Sequence, residues 1–253
     1  MNVVVDGLMT SYQRTGKGKP LVFLHGWGDT SKTFSELVTA LSDKYEIYLL
    51  DLPGFGGTQA PPRAWDLGDY SNFLEAWLKK IDIKPYALVG HSYGGSVAIY
   101  ALSQKSLGQK LVLLASAGIR NKHRAQKDLT SNLAKLGKIP LAFLPENKRR
   151  KLRQKFYKSI GSDLMLLPHM EETFKKIINQ DVSNQAKKIN APTLLIYGSQ
   201  DKSTPVSDGK LLNSLIAGSK IEIVNAGHFL HQELPEETSN LIDKFLSGKL
   251  TDA

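Results

Sequence analysis

The chain has no cysteine, which excludes disulfides, thiolate catalysis and cysteine-ligated metal sites. It also lacks any run near the roughly 18 consecutive apolar residues that a membrane-spanning helix requires. Its apolar runs, 21–24 and 111–115 among them, are no longer than six residues, so no transmembrane segment is expected. Residues 1–7 carry neither the basic lead nor the hydrophobic stretch of a targeting signal, and cytoplasmic residence is the expectation. The 6 histidines show no ligand spacing, so no metal is expected. Acidic residues are in deficit in one region only. Between 118 and 181 there are 15 Lys/Arg against 6 Asp/Glu, whereas the remainder holds 18 of each, so the whole net charge of +9 resides there.

What is present is a chain of 253 residues, 41% hydrophobic, enough for one large α/β core. Apolar runs bounded by turn residues predict strands at 3–5, 20–24, 45–50, 85–89, 110–114, 192–197 and 220–224. Most do not alternate in polarity, which is the pattern of strands covered on both faces. Amphipathic segments at 31–42, 69–80, 94–104, 207–216 and 236–247 predict intervening helices. The alternation implies an α/β fold with a mostly parallel central sheet flanked by helices. It breaks between 118 and 186, where polar, basic, helix-favouring sequence predicts an inserted helical cap. The expected layout is a core of 1–117 and 187–253 with the insert as its lid, one structural domain overall.

Gly90-His91-Ser92-Tyr93-Gly94 reads G-x-S-x-G between a predicted strand and a predicted helix. A sharp strand-to-helix turn exposes the serine oxygen at the sheet's C-terminal edge, and glycines on either side allow close packing. Ser92 is therefore the candidate nucleophile, and it needs a base and a group that orients the base. Asp201 and His228 follow the strands predicted at 192–197 and 220–224, at the edge where open α/β sheets bind ligands. His231 is the competing base, although it lies further into the segment leading to the last helix. His25-Gly26-Trp27-Gly28 follows another strand and offers the Trp27 N–H, with the Tyr93 N–H as second donor, for an oxyanion hole. This loop has neither P-loop Lys-Ser/Thr nor Rossmann spacing.

These pieces, together with Asp51-Leu52-Pro53-Gly54-Phe55-Gly56, resemble the α/β-hydrolase superfamily, in particular its cap-bearing serine esterase-like branch. The resemblance implies an α/β-hydrolase fold and acyl transfer without a cofactor, carboxylic ester hydrolysis being the usual outcome. An aspartate replaces the elbow serine in haloalkane dehalogenases and epoxide hydrolases, so Ser92 argues against both. Cleavage of C–C bonds in ring-cleavage products, cofactor-free perhydrolysis and, as a minority reading, non-catalytic ligand binding are the alternatives.

The loop at His25 is similar to that of pimeloyl carrier-protein methyl ester esterases, whose partner is an acidic protein. The expected partner is a small acyl substrate. The basic run Lys148-Arg149-Arg150-Lys151 is either a solvated helix face or a site for an anionic partner: an acyl carrier, an acidic lipid surface or a charged substrate. No nucleic-acid motif accompanies that charge. Phe143, Phe156, Tyr157, Leu166 and Met170 are the expected pocket residues of the cap, and His25 and Phe229 those of the core.

Overall fold

The computed structural model describes residues 1–120 and 168–250. Its strands are β1 (Asn2–Val5), β2 (Leu8–Gly16), β3 (Lys19–Leu24), β4 (Tyr45–Leu50), β5 (Ala87–His91), β6 (Lys110–Leu114), β7 (Thr193–Gly198) and β8 (Lys220–Val224). They form one sheet in the order β1-β2-β4-β3-β5-β6-β7-β8. From β4 to β8 every pair is parallel, whereas β1 pairs β2 and β2 pairs β4 in antiparallel fashion.

Helices α1 (Ser35–Leu41), α2 (Leu67–Lys80), α3 (Tyr93–Lys105), α4 (Glu171–Ile178), α5 (Ser183–Ala186), α6 (Val206–Leu215), α7 (Leu230–Glu233) and α8 (Pro235–Leu246) accompany it. Helix α2 starts where it does because Asp66 and Asp69 form a reciprocal capping box, each side chain accepting the other's backbone N–H,.

The central strands are apolar at nearly every position because each face has its own core. Val22 and Leu24 of β3 pack with Leu88, Leu111, Leu113 and the α2 residue Trp77. Leu21 and Phe23 point the other way, toward Phe34, Leu37 of α1 and Phe245 of α8. The period of two that places side chains on opposite faces thus feeds two hydrophobic layers, and the sequence of these strands cannot alternate.

One strand departs from the expectation. β2 buries Leu8, Thr10 and Tyr12 but turns Met9, Gln13 and Arg14 outward or partly outward, so it has no apolar run. It is reached by a hairpin through Asp6 and Gly7, both at positive φ (47° and 81°), the two-residue turn that Asp-Gly favours.

Of the predicted insert, residues 121–167 lie outside the described residues. Its ends are joined at its base: the Val182 N–H donates to the Gly118 carbonyl at 2.9 Å, and the Arg120 N–H to Asp181 Oδ2 at 2.7 Å. Val182 and Ala186 are buried in the same core as β5 and α3. No helix of the described residues is long and apolar enough to cross a membrane.

Candidate active site

The parallel register aligns strand ends, pairing Leu24 with Gly90, His91 with Leu114, Leu114 with Ile196 and Gly198 with Val224. Loops leaving β3, β5, β7 and β8 therefore emerge side by side, carrying Trp27, Ser92, Asp201 and His228.

Ser92 lies between β5 and α3 with φ 49° and ψ −116°. This left-handed conformation costs a residue with a side chain on the order of 1–3 kcal/mol. The surrounding hydrogen bonds hold it there: the Ser92 N–H donates to the Leu114 carbonyl at 3.0 Å, and the Ser92 carbonyl accepts from the N–H groups of Gly95 and Ala117, each at 3.0 Å. The turn is also too crowded for side chains beside the serine. A Cβ on Gly94 would stand 2.1 Å from the Leu24 carbonyl oxygen, and one on Gly90 2.6 Å from that of Gly94.

His228 Nε2 lies 3.0 Å from Ser92 Oγ, and His228 Nδ1 lies 2.7 Å from Asp201 Oδ2. An ionised carboxylate only accepts, so the Nδ1 proton faces Asp201 and Nε2 is left with its lone pair toward the serine hydroxyl. That is the tautomer a base needs. Asp201 is buried, and burial by itself pushes its carboxyl up. Hydrogen bonds and charge from His228, with further bonds from the Thr204 side chain and N–H, outweigh this and hold it below its ordinary value. Oδ1 accepts from the N–H groups of Ser203 at 2.7 Å and Thr204 at 3.0 Å. Thr204 Oγ1 sits 2.7 Å from Asp201 Oδ2, 2.9 Å from the Ala115 carbonyl and 3.2 Å from His228 Nδ1. Thr204 is thus a site residue to which no sequence motif points.

The loop after β3 leans on the elbow: a Cβ on Gly26 would come within 3.1 Å of His91 Nδ1 and 3.5 Å of Ser92 Cβ. Tyr93 opens α3, so its N–H is one of the donors that a helix leaves free at its N-terminus. Among the described residues neither the Tyr93 nor the Trp27 N–H has a backbone acceptor. The Trp27 ring is fixed by edge contacts with Phe55 at 4.9 Å and Tyr93 at 5.4 Å.

Ser92 and His228 open into a cavity of about 440 Å³ whose described wall includes Trp27, Tyr93, Ile119, Arg120, Phe174, Ile177 and Phe229. Its size suits a small organic ligand. Phe229 thus stands where a substrate contact was expected. His25 does not: it is fully buried, takes the Leu52 N–H on Nε2 at 3.0 Å and bonds the Gly26 carbonyl through Nδ1 at 2.8 Å. The chain turns so that the His25 ring ties the Gly26 loop to the segment after β4, which corrects its assignment as a substrate contact.

Met170 is likewise buried and absent from the wall; its thioether fills the space over Gly54, where a Cβ would meet Sδ at 2.5 Å. Phe143, Phe156, Tyr157, Leu166 and the basic run 148–151 lie outside the described residues. His231 is buried against Thr33, with Nε2 2.9 Å from Oγ1, and makes no bond to Ser92.

Residues 19–233 match the family model described as alpha/beta hydrolase fold. The chain belongs to the alpha/beta hydrolase fold family. Among curated relatives of this family, it is 29% identical to the uncharacterized hydrolase YugF of Bacillus subtilis, with 96% of each chain covered. It is also 29% identical to the monoacylglycerol lipase ABHD6 of Homo sapiens, over 93% of this chain and 77% of that one. A crystal structure of a bacterial membrane phospholipase A superposes with a TM-score of 0.77 at 24% identity, covering 98% of this chain and 86% of that one. That likeness concerns the fold.

Proposed function

We propose that this protein is a serine hydrolase that cleaves a carboxylic ester or related acyl bond through an acyl-enzyme on Ser92. The observation that carries the reading is the unbroken line of hydrogen bonds from Asp201 through His228 to Ser92 Oγ, 2.7 and 3.0 Å long, ending at the cavity. The kinship with a hydrolase and a monoacylglycerol lipase supports it.

In this mechanism His228 Nε2 takes the Ser92 proton as Oγ attacks the acyl carbon, and Asp201 stabilises the resulting imidazolium. The negative charge that develops on the former carbonyl oxygen is met by the N–H groups of Trp27 and Tyr93. Collapse breaks the bond to the leaving group, which receives the proton from His228, and leaves the acyl group esterified to Ser92. Water then attacks that ester while His228 again accepts and returns a proton, releasing the acid and restoring the serine. The insert expected to form the lid, 118–186, joins the core beside the cavity, where its ends are pinned together.

Hydrolysis of a p-nitrophenyl ester series from acetyl to long acyl, by wild type and Ser92→Ala, tests the reading. Ser92-dependent turnover with a chain-length optimum is expected. Folded, ligand-binding protein without turnover across the series would contradict it.

A further inference from the structure

The described wall of the cavity contains one permanently ionised side chain, Arg120, and the hydrolytic steps make no use of it. Its position is set at both ends. Ala117, three residues earlier, donates its N–H to the Ser92 carbonyl, and three residues of chain span at most about 11 Å. The Arg120 N–H is held by Asp181, and its guanidinium donates from Nη1 to the Asn179 carbonyl at 3.1 Å.

A guanidinium has five N–H donors, so one bond to a neutral carbonyl leaves most of its capacity and all of its charge uncommitted by that contact. No carboxylate belongs to the described wall. Asp181 lies within the field of Arg120, but its oxygens accept from the backbone of Arg120 and Ser183 and not from the guanidinium.

We propose that Arg120 selects the substrate of this site: an ester carrying a terminal carboxylate, seated against the guanidinium while its ester carbon faces Ser92. The inference rests on the hydrolase reading and narrows it. A planar guanidinium matches a carboxylate through paired N–H donors. One cation in the described wall matches one negative charge better than the two of a phosphate monoester. The apolar side chains of Trp27, Ile119, Phe174 and Ile177 in the same wall suit the aliphatic spacer that such an ester would have.

The experiment compares mono-p-nitrophenyl esters of glutaric, adipic and suberic acids with neutral p-nitrophenyl esters of the same carbon count. The readout is the charged-to-neutral ratio of kcat/KM for wild type, Arg120→Lys and Arg120→Met. The expected result is a wild-type preference for the charged ester at one chain length. It should fall roughly ten- to a hundredfold in Arg120→Met, the size of one charge-assisted hydrogen bond, and less in Arg120→Lys. An unchanged ratio in Arg120→Met overturns the proposal.

Calorimetric binding of monomethyl adipate and of methyl hexanoate to Ser92→Ala reads the same contact without turnover. Arg120→Met in that background should weaken only the first. Equal affinities would reject the anion site even in a protein that hydrolyses the neutral series. Arg120-dependent binding without turnover by wild type would instead reject the hydrolase reading and keep the site.

Discussion

His91 Nε2 lies 3.0 Å from the backbone carbonyl of His228, so the residue preceding the nucleophile holds the main chain of the base. A carbonyl only accepts, which places the His91 proton on Nε2. Burial, reinforced by the charges of His231 and His228, pushes the His91 pKa well below its ordinary value and keeps the ring neutral. His91→Ala should lower kcat/KM by about ten- to a hundredfold through misplacement of His228, with KM little changed. His91→Gln, which retains a side-chain N–H, should recover part of the loss. Steady-state kinetics of the two variants with one activated ester check this.

Thr204 extends the argument to the acid. Replacing it with Val keeps its bulk and removes the hydroxyl beside Asp201 Oδ2. The Asp201 carboxyl should then move up toward its ordinary value, and kcat/KM should fall by roughly three- to tenfold, the loss of about one hydrogen bond near a charge. NMR titration of Asp201 and the rate of Thr204→Val measure the two effects separately.

The fold around these residues was legible where a local pattern has a local cause. The elbow could be recognised because the serine, its glycines and the bounding strand and helix are contiguous, and Asp201 and His228 because each follows a strand. β2 escaped because its buried positions, Leu8, Thr10 and Tyr12, include a polar residue and alternate with exposed or half-exposed ones, among them the apolar Met9, although Asp6-Gly7 was a hairpin signal. The direction of the His25 ring depends on contacts with Leu52 and Gly26, which loop composition does not encode. Arg120 and Phe174 meet at one cavity only because the chain returns at 182 to Gly118, a closure made by distant residues.

Gly94 should tolerate no side chain. The 2.1 Å approach of its virtual Cβ to the Leu24 carbonyl oxygen is backbone against backbone, so Gly94→Ala must displace α3 or β3. A loss of about 2–4 kcal/mol is expected, with activity falling in parallel. Gly7→Ala, at positive φ but with open space around it, should cost only about 1 kcal/mol. Denaturant unfolding of both variants gives the comparison.

Acid should destabilise the fold through its buried histidines. Burial and the charge of His228 push His231 down to about 4, whereas in the unfolded chain it titrates near 6.5. Between those values the unfolded chain binds the proton and the folded one does not, so stability falls as pH drops from about 6.5 to 4. The contribution is at most about 3 kcal/mol. His231→Gln should reduce the slope of unfolding free energy against pH by about one proton in this window, measured by urea unfolding at successive pH values.

The central claim is that the acyl group passes through Ser92, and rapid-quench mass spectrometry tests it most directly. Wild-type protein mixed with excess p-nitrophenyl ester and quenched within the first turnovers should carry one acyl mass, mapped to the peptide containing Ser92. Ser92→Ala should carry none and lose activity by a factor on the order of 10⁴ or more. An acyl mass on another residue, or full turnover by Ser92→Ala, would contradict the account.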